Sequence, residues 1–143
     1  MGNRSSRLLP LQTYTSKTMR DSGTQRGLAL FNSAHFFDAH EVLEDVWREA
    51  PRHSCLRRHL QGLVQLAVAF HHQSTGNLVG GRSVLERALR NIAGAEESLP
   101  EIDWERLHAC LKPWRQYLAE ARRNPEGQSP PELPKVHLRH RAH

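Results

Sequence analysis

Placed at 100° per residue, the apolar and polar positions of residues 36–49 separate into two faces. Phe36, Ala39, Val42, Leu43 and Val46 fall on one side; Asp38, Glu41, Asp45, Arg48 and Glu49 fall on the other. That is the pattern of an amphipathic helix with one buried face. It should end before Pro51, which cannot continue a helix interior. The same spacing predicts a helix over 24–33 and a long third helix that Ser54 can cap and that stops near Gly76. A fourth is expected over 79–97, ahead of Pro100. Asp103 can cap a fifth that reaches about Arg123, with a kink at Pro113. No strand-like alternation occurs. The chain is therefore expected to be all-α: a compact bundle of about five helices, with residues 24–123 as the helical domain.

The pattern repeats. Gly27, Leu30, Ala34, Phe36, Ala39, Leu43 and Val46 recur 42 residues later as Ala69, His72, Gly76, Leu78, Gly81, Leu85 and Ala88. Small residues meet small ones at three of the seven positions, which suits helices that approach closely. The spacing resembles a tetratricopeptide repeat, lengthened beyond the usual period of about 34 residues. The bundle is accordingly expected to be built on tetratricopeptide-like helical hairpins.

Some polar residues interrupt the apolar faces. His40, Glu44 and Trp47 sit at i, i+4 and i+7 on the flank of the second helix. The third helix is apolar nearly all round except for a stripe of Arg58, Gln61, Gln65 and His72 that shares its side with Gly62 and Ala69. Half-buried polar groups need partners. One shared cluster of His40, Glu44, Gln65 and His72 is therefore expected between these two helices, with Arg58 nearby and Trp47 as a wall. Such a cluster could be a hydrogen-bond network that sets helix register. It could instead floor a groove for a peptide or small polar ligand. In a third reading His40, Glu44 and His72 supply a metal or an acid–base site. Against the third, "HEVLE" offers Glu44 where H-E-x-x-H has its second histidine, and Glu41 points to the solvent side. No metal or other cofactor is expected.

Charge changes the picture only at the ends. The net charge is +5, but between residues 22 and 124 there are 13 basic against 12 acidic side chains. The excess sits in a basic leader, 1–23, and a Pro-, His- and base-rich tail, 124–143, both expected to be disordered. A folded basic face for nucleic acid is not indicated. "MGNRSS" fits an N-myristoylation pattern, and the leader also has the Arg- and Ser-rich character of a transit segment. A solvated leader accounts for it as well. His137, His140 and His143 fall in the tail. Cys55 and Cys110 match neither a zinc spacing nor a disulfide framework and suit a reducing compartment, so a cytoplasmic location is expected. No apolar run is long enough to span a membrane.

"LFNSAHFFDAHEVLEDVWREA", "LQGLVQLAVAFHHQSTGN" and "SVLERAL" together resemble the small helical family called domain of unknown function 309. The resemblance covers about residues 25–95. Its hallmark, His-Glu-x-x-Glu-x-x-Trp, is matched by His40, Glu41, Glu44 and Trp47; Leu60, Gly62, Leu63, Gln65, Ala67, His72, Gly76 and Asn77 match the following helix. The family commonly has Gly at the position of Ala34, Ala at that of Gly81 and Tyr at that of His71. The resemblance implies a helical bundle and no established activity. The expected role is a non-catalytic binding or scaffold module for a protein, a peptide or a small polar ligand, using His40, Glu41, Glu44, Trp47, Arg58, Gln65 and His72. The opposing class is a metal-dependent hydrolase or acid–base enzyme that uses His40, Glu44 and His72.

Overall fold

The computed structural model describes residues 17–20, 22–121 and 128–139. Six α-helices occur in them: α1 Lys17–Arg20, α2 Ser22–Asn32, α3 Phe36–Glu49, α4 Cys55–Ser74, α5 Leu78–Asn91 and α6 Trp104–Ala121. A 3₁₀ turn, Ala95–Glu97, lies between the last two. None of these helices is long and apolar enough to cross a membrane.

The helices start and stop for local reasons. Ser54 Oγ accepts from the N–H of Arg57 at 3.0 Å, and Asp103 Oδ1 accepts from that of Arg106 at 3.1 Å. Each satisfies a donor that the first turn leaves unpaired. α6 runs on through Pro113, whose ring lies on the exposed side. α5 is shorter than its polarity pattern suggests: it ends at Asn91, and Gly94 then adopts φ +81° to turn the chain. A left-handed turn there costs glycine nothing, so the apolar periodicity that runs on to residue 97 is cut.

The 42-residue repeat is realised in the backbone. α3 and α5 are both 14 residues long, with boundaries offset by that period, and α2 and α4 end at equivalent positions. Both hairpin turns close with the same pair of bonds. The N–H of His35 donates to Leu30 O (2.9 Å) and that of Ala34 to Phe31 O (3.0 Å); Asn77 donates to His72 O (2.8 Å) and Gly76 to Gln73 O (3.1 Å). These are Schellman closures, which need a left-handed residue. Ala34 supplies it at φ +67° and Gly76 at φ +89°.

α4 lies between α3 and α5, and its apolar girth feeds one core. Phe31, Phe36, Phe70 and Trp114 meet ring to ring, with centroids 5.1–6.2 Å apart. Trp104 is also buried, its indole N–H donating to Leu99 O at 2.9 Å. Close approach to α5 depends on Gly62, where an added Cβ would stand 2.4 Å from Ile92 Cγ2, and on Gly81, where it would stand 3.1 Å from Ala69 O.

Two segments expected to be disordered contribute to this core. From the leader, Met19 is buried against it; residues 1–16 lie outside the described residues. From the tail, residues 128–139 run extended over the bundle with Pro134 and Val136 buried. Composition predicts a solvated tail there, but fixed groups on the helices hold its main chain. Residues 122–127 and 140–143 lie outside the described residues.

Candidate functional site

The hallmark helix, α3, carries a ladder of polar contacts along one flank. Glu44 Oε1 lies 3.7 Å from His40 Nε2 and 3.2 Å from Arg48 Nη2, while Arg48 Nη1 reaches Asp45 Oδ1 at 3.2 Å. His40 and Glu44 are 24% and 32% exposed, open enough to meet a partner and too open for the ladder to stabilise the fold much. Phe37, half exposed, covers this end of the flank, its ring 5.6 Å from that of His40 and 5.3 Å from that of His71. Around the helix, Asp38, Glu41, Glu44, Asp45 and Arg48 face Arg26 and Leu30 of α2 across an open groove of about 560 Å³.

The shared cluster expected between α3 and α4 does not assemble. Gln65 Oε1 accepts from Asn91 Nδ2 of α5 at 2.7 Å. His72 Nδ1 lies 3.3 Å from Asn77 Nδ2, at the turn into α5. Arg58 donates to Arg90 O and Ala93 O at 3.2 Å, at the end of α5. The small residues explain this. Gly62 and Ala69 share a side of α4 with the polar stripe, and that side packs on α5, against Ile92 and Gly81. The histidine turned toward α3 is His71, through Phe37. His40, Glu44 and His72 thus do not gather as one set of donors. Among the described residues no three His, Cys, Asp or Glu side chains come together as a metal site would require.

Trp47 has another partner than the one expected. Its ring lies 4.6 Å beneath the guanidinium of Arg57, a cation–π contact. The same guanidinium donates to Arg48 O at 3.2 Å and Ala50 O at 2.9 Å, closing the end of α3. Its neighbour Arg58 closes α5 at the equivalent carbonyl, that of residue 90. The Trp47 indole N–H is itself buried with no hydrogen-bond partner among the described residues.

Three residues not singled out in the sequence matter here. Arg57 is one. Asn91 is the second, as the partner of Gln65. His59, 1% exposed, is the third: Nδ1 lies 2.8 Å from Ser98 Oγ, and Nε2 lies 3.2 Å from Ala93 O and 3.3 Å from Arg58 Nη2. Burial, and then the charge of Arg58, pushes its pKa below the usual histidine range. A polar ring inside the otherwise apolar girth of α4 was the signal that could have found it.

Residues 24–84 match the model of a family described as a domain of unknown function, DUF309. Over this segment the resemblance seen in the sequence to the DUF309 family is shown. The DUF309 segment runs from α2 into α5, so it contains both hairpin turns and the α3 flank; α6 and the extended segment 128–139 lie beyond it. The chain is similar to an uncharacterized protein of Aquifex aeolicus (strain VF5), 30% identical over 103 residues, which are 72% of this chain and 28% of that protein. It is also similar to the uncharacterized protein YpuF of Bacillus subtilis (strain 168), 28% identical over 67 residues, which are 47% of this chain and 38% of YpuF. The chain thus covers well under half the length of either relative.

Proposed function

We propose that this protein is a binding or scaffold module rather than a catalyst, and that the α2–α3 face takes a cationic segment of a protein partner. One observation carries this reading. The groove presents four carboxylates; Arg48 engages Glu44 and Asp45, while Asp38 and Glu41 have no ion-pair partner among the described residues. Lysine or arginine side chains would find there two exposed acids and an apolar floor of Leu30 and Val42. The repeated hairpins support the reading further: tetratricopeptide-like arrays stack such units to present binding surfaces. The cysteines of the described chain, Cys55 and Cys110, are free, which suits a reducing, cytoplasmic setting.

The test is fluorescence anisotropy of a labelled Lys/Arg-rich peptide titrated with the full chain. Binding that weakens with salt and falls at least tenfold in Asp38→Asn/Glu41→Gln is expected. Equal binding by that variant, or none at millimolar protein, overturns the reading. The opposing enzyme class is addressed by metal content in a variant with His137, His140 and His143 replaced by Ala. Stoichiometric metal that disappears on adding His40→Ala would establish the metal-dependent alternative instead.

A further inference from the structure

Apart from the Gln128 side-chain amide, which donates to Glu120 Oε1, the hydrogen bonds that hold residues 128–139 engage their main chain. At the end of α2, the Asn32 side-chain amide donates to Val136 O at 2.9 Å and accepts from Val136 N–H at 2.7 Å. Those two bonds close the ring that a neighbouring strand would close. Trp114 Nε1 donates to Glu132 O at 2.8 Å. On the other side, Asp103 N–H donates to His137 O at 2.8 Å and Arg139 N–H donates to Glu101 O at 2.7 Å, about an isolated antiparallel bridge between Ile102 and Leu138. Only Pro134 and Val136, two residues apart, bury their side chains; Glu132, Leu133, Lys135, Leu138 and Arg139 are exposed.

Main-chain bonds for affinity and pockets at alternate residues for selectivity are the means by which proteins recognise extended peptides. A proline-rich segment suits such a site because it is already extended before binding and loses little entropy. We propose that the cleft between the C-terminal end of α2 and the segment before α6 is a peptide-recognition site that the chain fills with its own residues 128–139. It accepts in trans an extended partner segment carrying proline two residues before a β-branched apolar residue. This rests on contacts separate from the α2–α3 groove. The tether sets the hierarchy: a covalently linked occupant acts at an effective concentration on the order of millimolar. A partner therefore enters only when it binds better than the native segment or when that segment is released.

The experiment uses a labelled synthetic peptide of residues 128–139 and the full chain. Val136→Asp places a charge in the apolar pocket and should release the native segment. Expected results are weak binding of the peptide by the unaltered chain, binding at least tenfold tighter by Val136→Asp, and loss of that gain when Asn32→Ala is added. A Val136→Asp chain that keeps its helical circular dichroism and binds no better than the unaltered chain overturns the proposal. If that variant does not fold, hydrogen exchange on the unaltered chain decides. The amides of Val136 and Arg139 should exchange at least tenfold faster than those of Leu63 and Leu66 in α4, as a separately opening segment does. Equal rates overturn the proposal.

Discussion

The two hairpins share one backbone and differ in how well their residues suit it. The second places glycine at its left-handed turn position and follows it with Asn77, whose side chain accepts from the N–H of Gly80 at 2.9 Å. It satisfies its polar residues internally, with Gln65 on Asn91 and Arg58 on the end of α5. The first places Ala34 at the equivalent left-handed position, where its Cβ is strained, and begins α3 at His35 with no side-chain cap. Its polar residues line an open groove. The difference teaches that one unit serves mainly to hold the bundle, while its twin gives up local stability where it displays charge.

The largest effect expected to sharpen this contrast comes from glycine contacts. Gly62→Ala should destabilise the protein by about 1–3 kcal/mol, because the new methyl meets Ile92 Cγ2 and also the α5 backbone, 3.1 Å from Ile92 N and 3.2 Å from Ala88 O. Gly27→Ala in the first hairpin should cost less, about 1 kcal/mol, since it meets side chains only, Leu43 and Val42. Denaturant midpoints of the two variants check the order, and the reverse order would break the comparison.

Next comes a reciprocal exchange at the turns. Ala34→Gly should stabilise by about 0.5–1 kcal/mol and Gly76→Ala should destabilise by about the same amount. A Cβ added at Gly76 would meet no heavy atom of the described residues beyond its chain neighbours within 4 Å, so crowding does not confuse the backbone strain. Thermal unfolding of both variants measures this. His35→Asn should add about 0.5 kcal/mol by giving α3 the cap that α5 already has; if it does not, poor capping is no part of the difference.

The smallest effect is one of pH. His59 has its pKa lowered in the folded state by burial and by Arg58, with the hydrogen bond to Ala93 O and then Glu96 and Glu97 acting against this. The unfolded chain therefore binds more protons in the window below the ordinary histidine value. Stability contributed by the neutral ring is present above about pH 6.5 and declines as the pH falls toward the lowered folded value. Comparing urea midpoints at pH 7.5 and 5.5 should show a smaller acid loss in His59→Asn than in the unaltered chain.

How much of this was legible depended on what kind of information each feature used. The limits of α3 could be read because Pro51 and a clean two-faced pattern bound it, and the hairpin repeat because close packing demands small residues at fixed spacing. The orientation of α4 was not legible. Helical angles show that Arg58, Gln65 and His72 share a side with Gly62 and Ala69, but a helix with a neighbour on each side does not say which neighbour that side meets. The segment around Val136 was missed for another reason. Pro-rich, basic composition argues against an independent core, whereas this segment is held by the Asn32 amide and the Trp114 indole, and those bonds are blind to its side chains.

Arg57 and Arg58 leave the same turn of backbone and grip the last carbonyls of α3 and α5 respectively. That turn works like a coupling between two shafts: a displacement where α4 begins reaches the far ends of both units together. The ends of the two units are thus tied to one point of the chain, the first turn of α4.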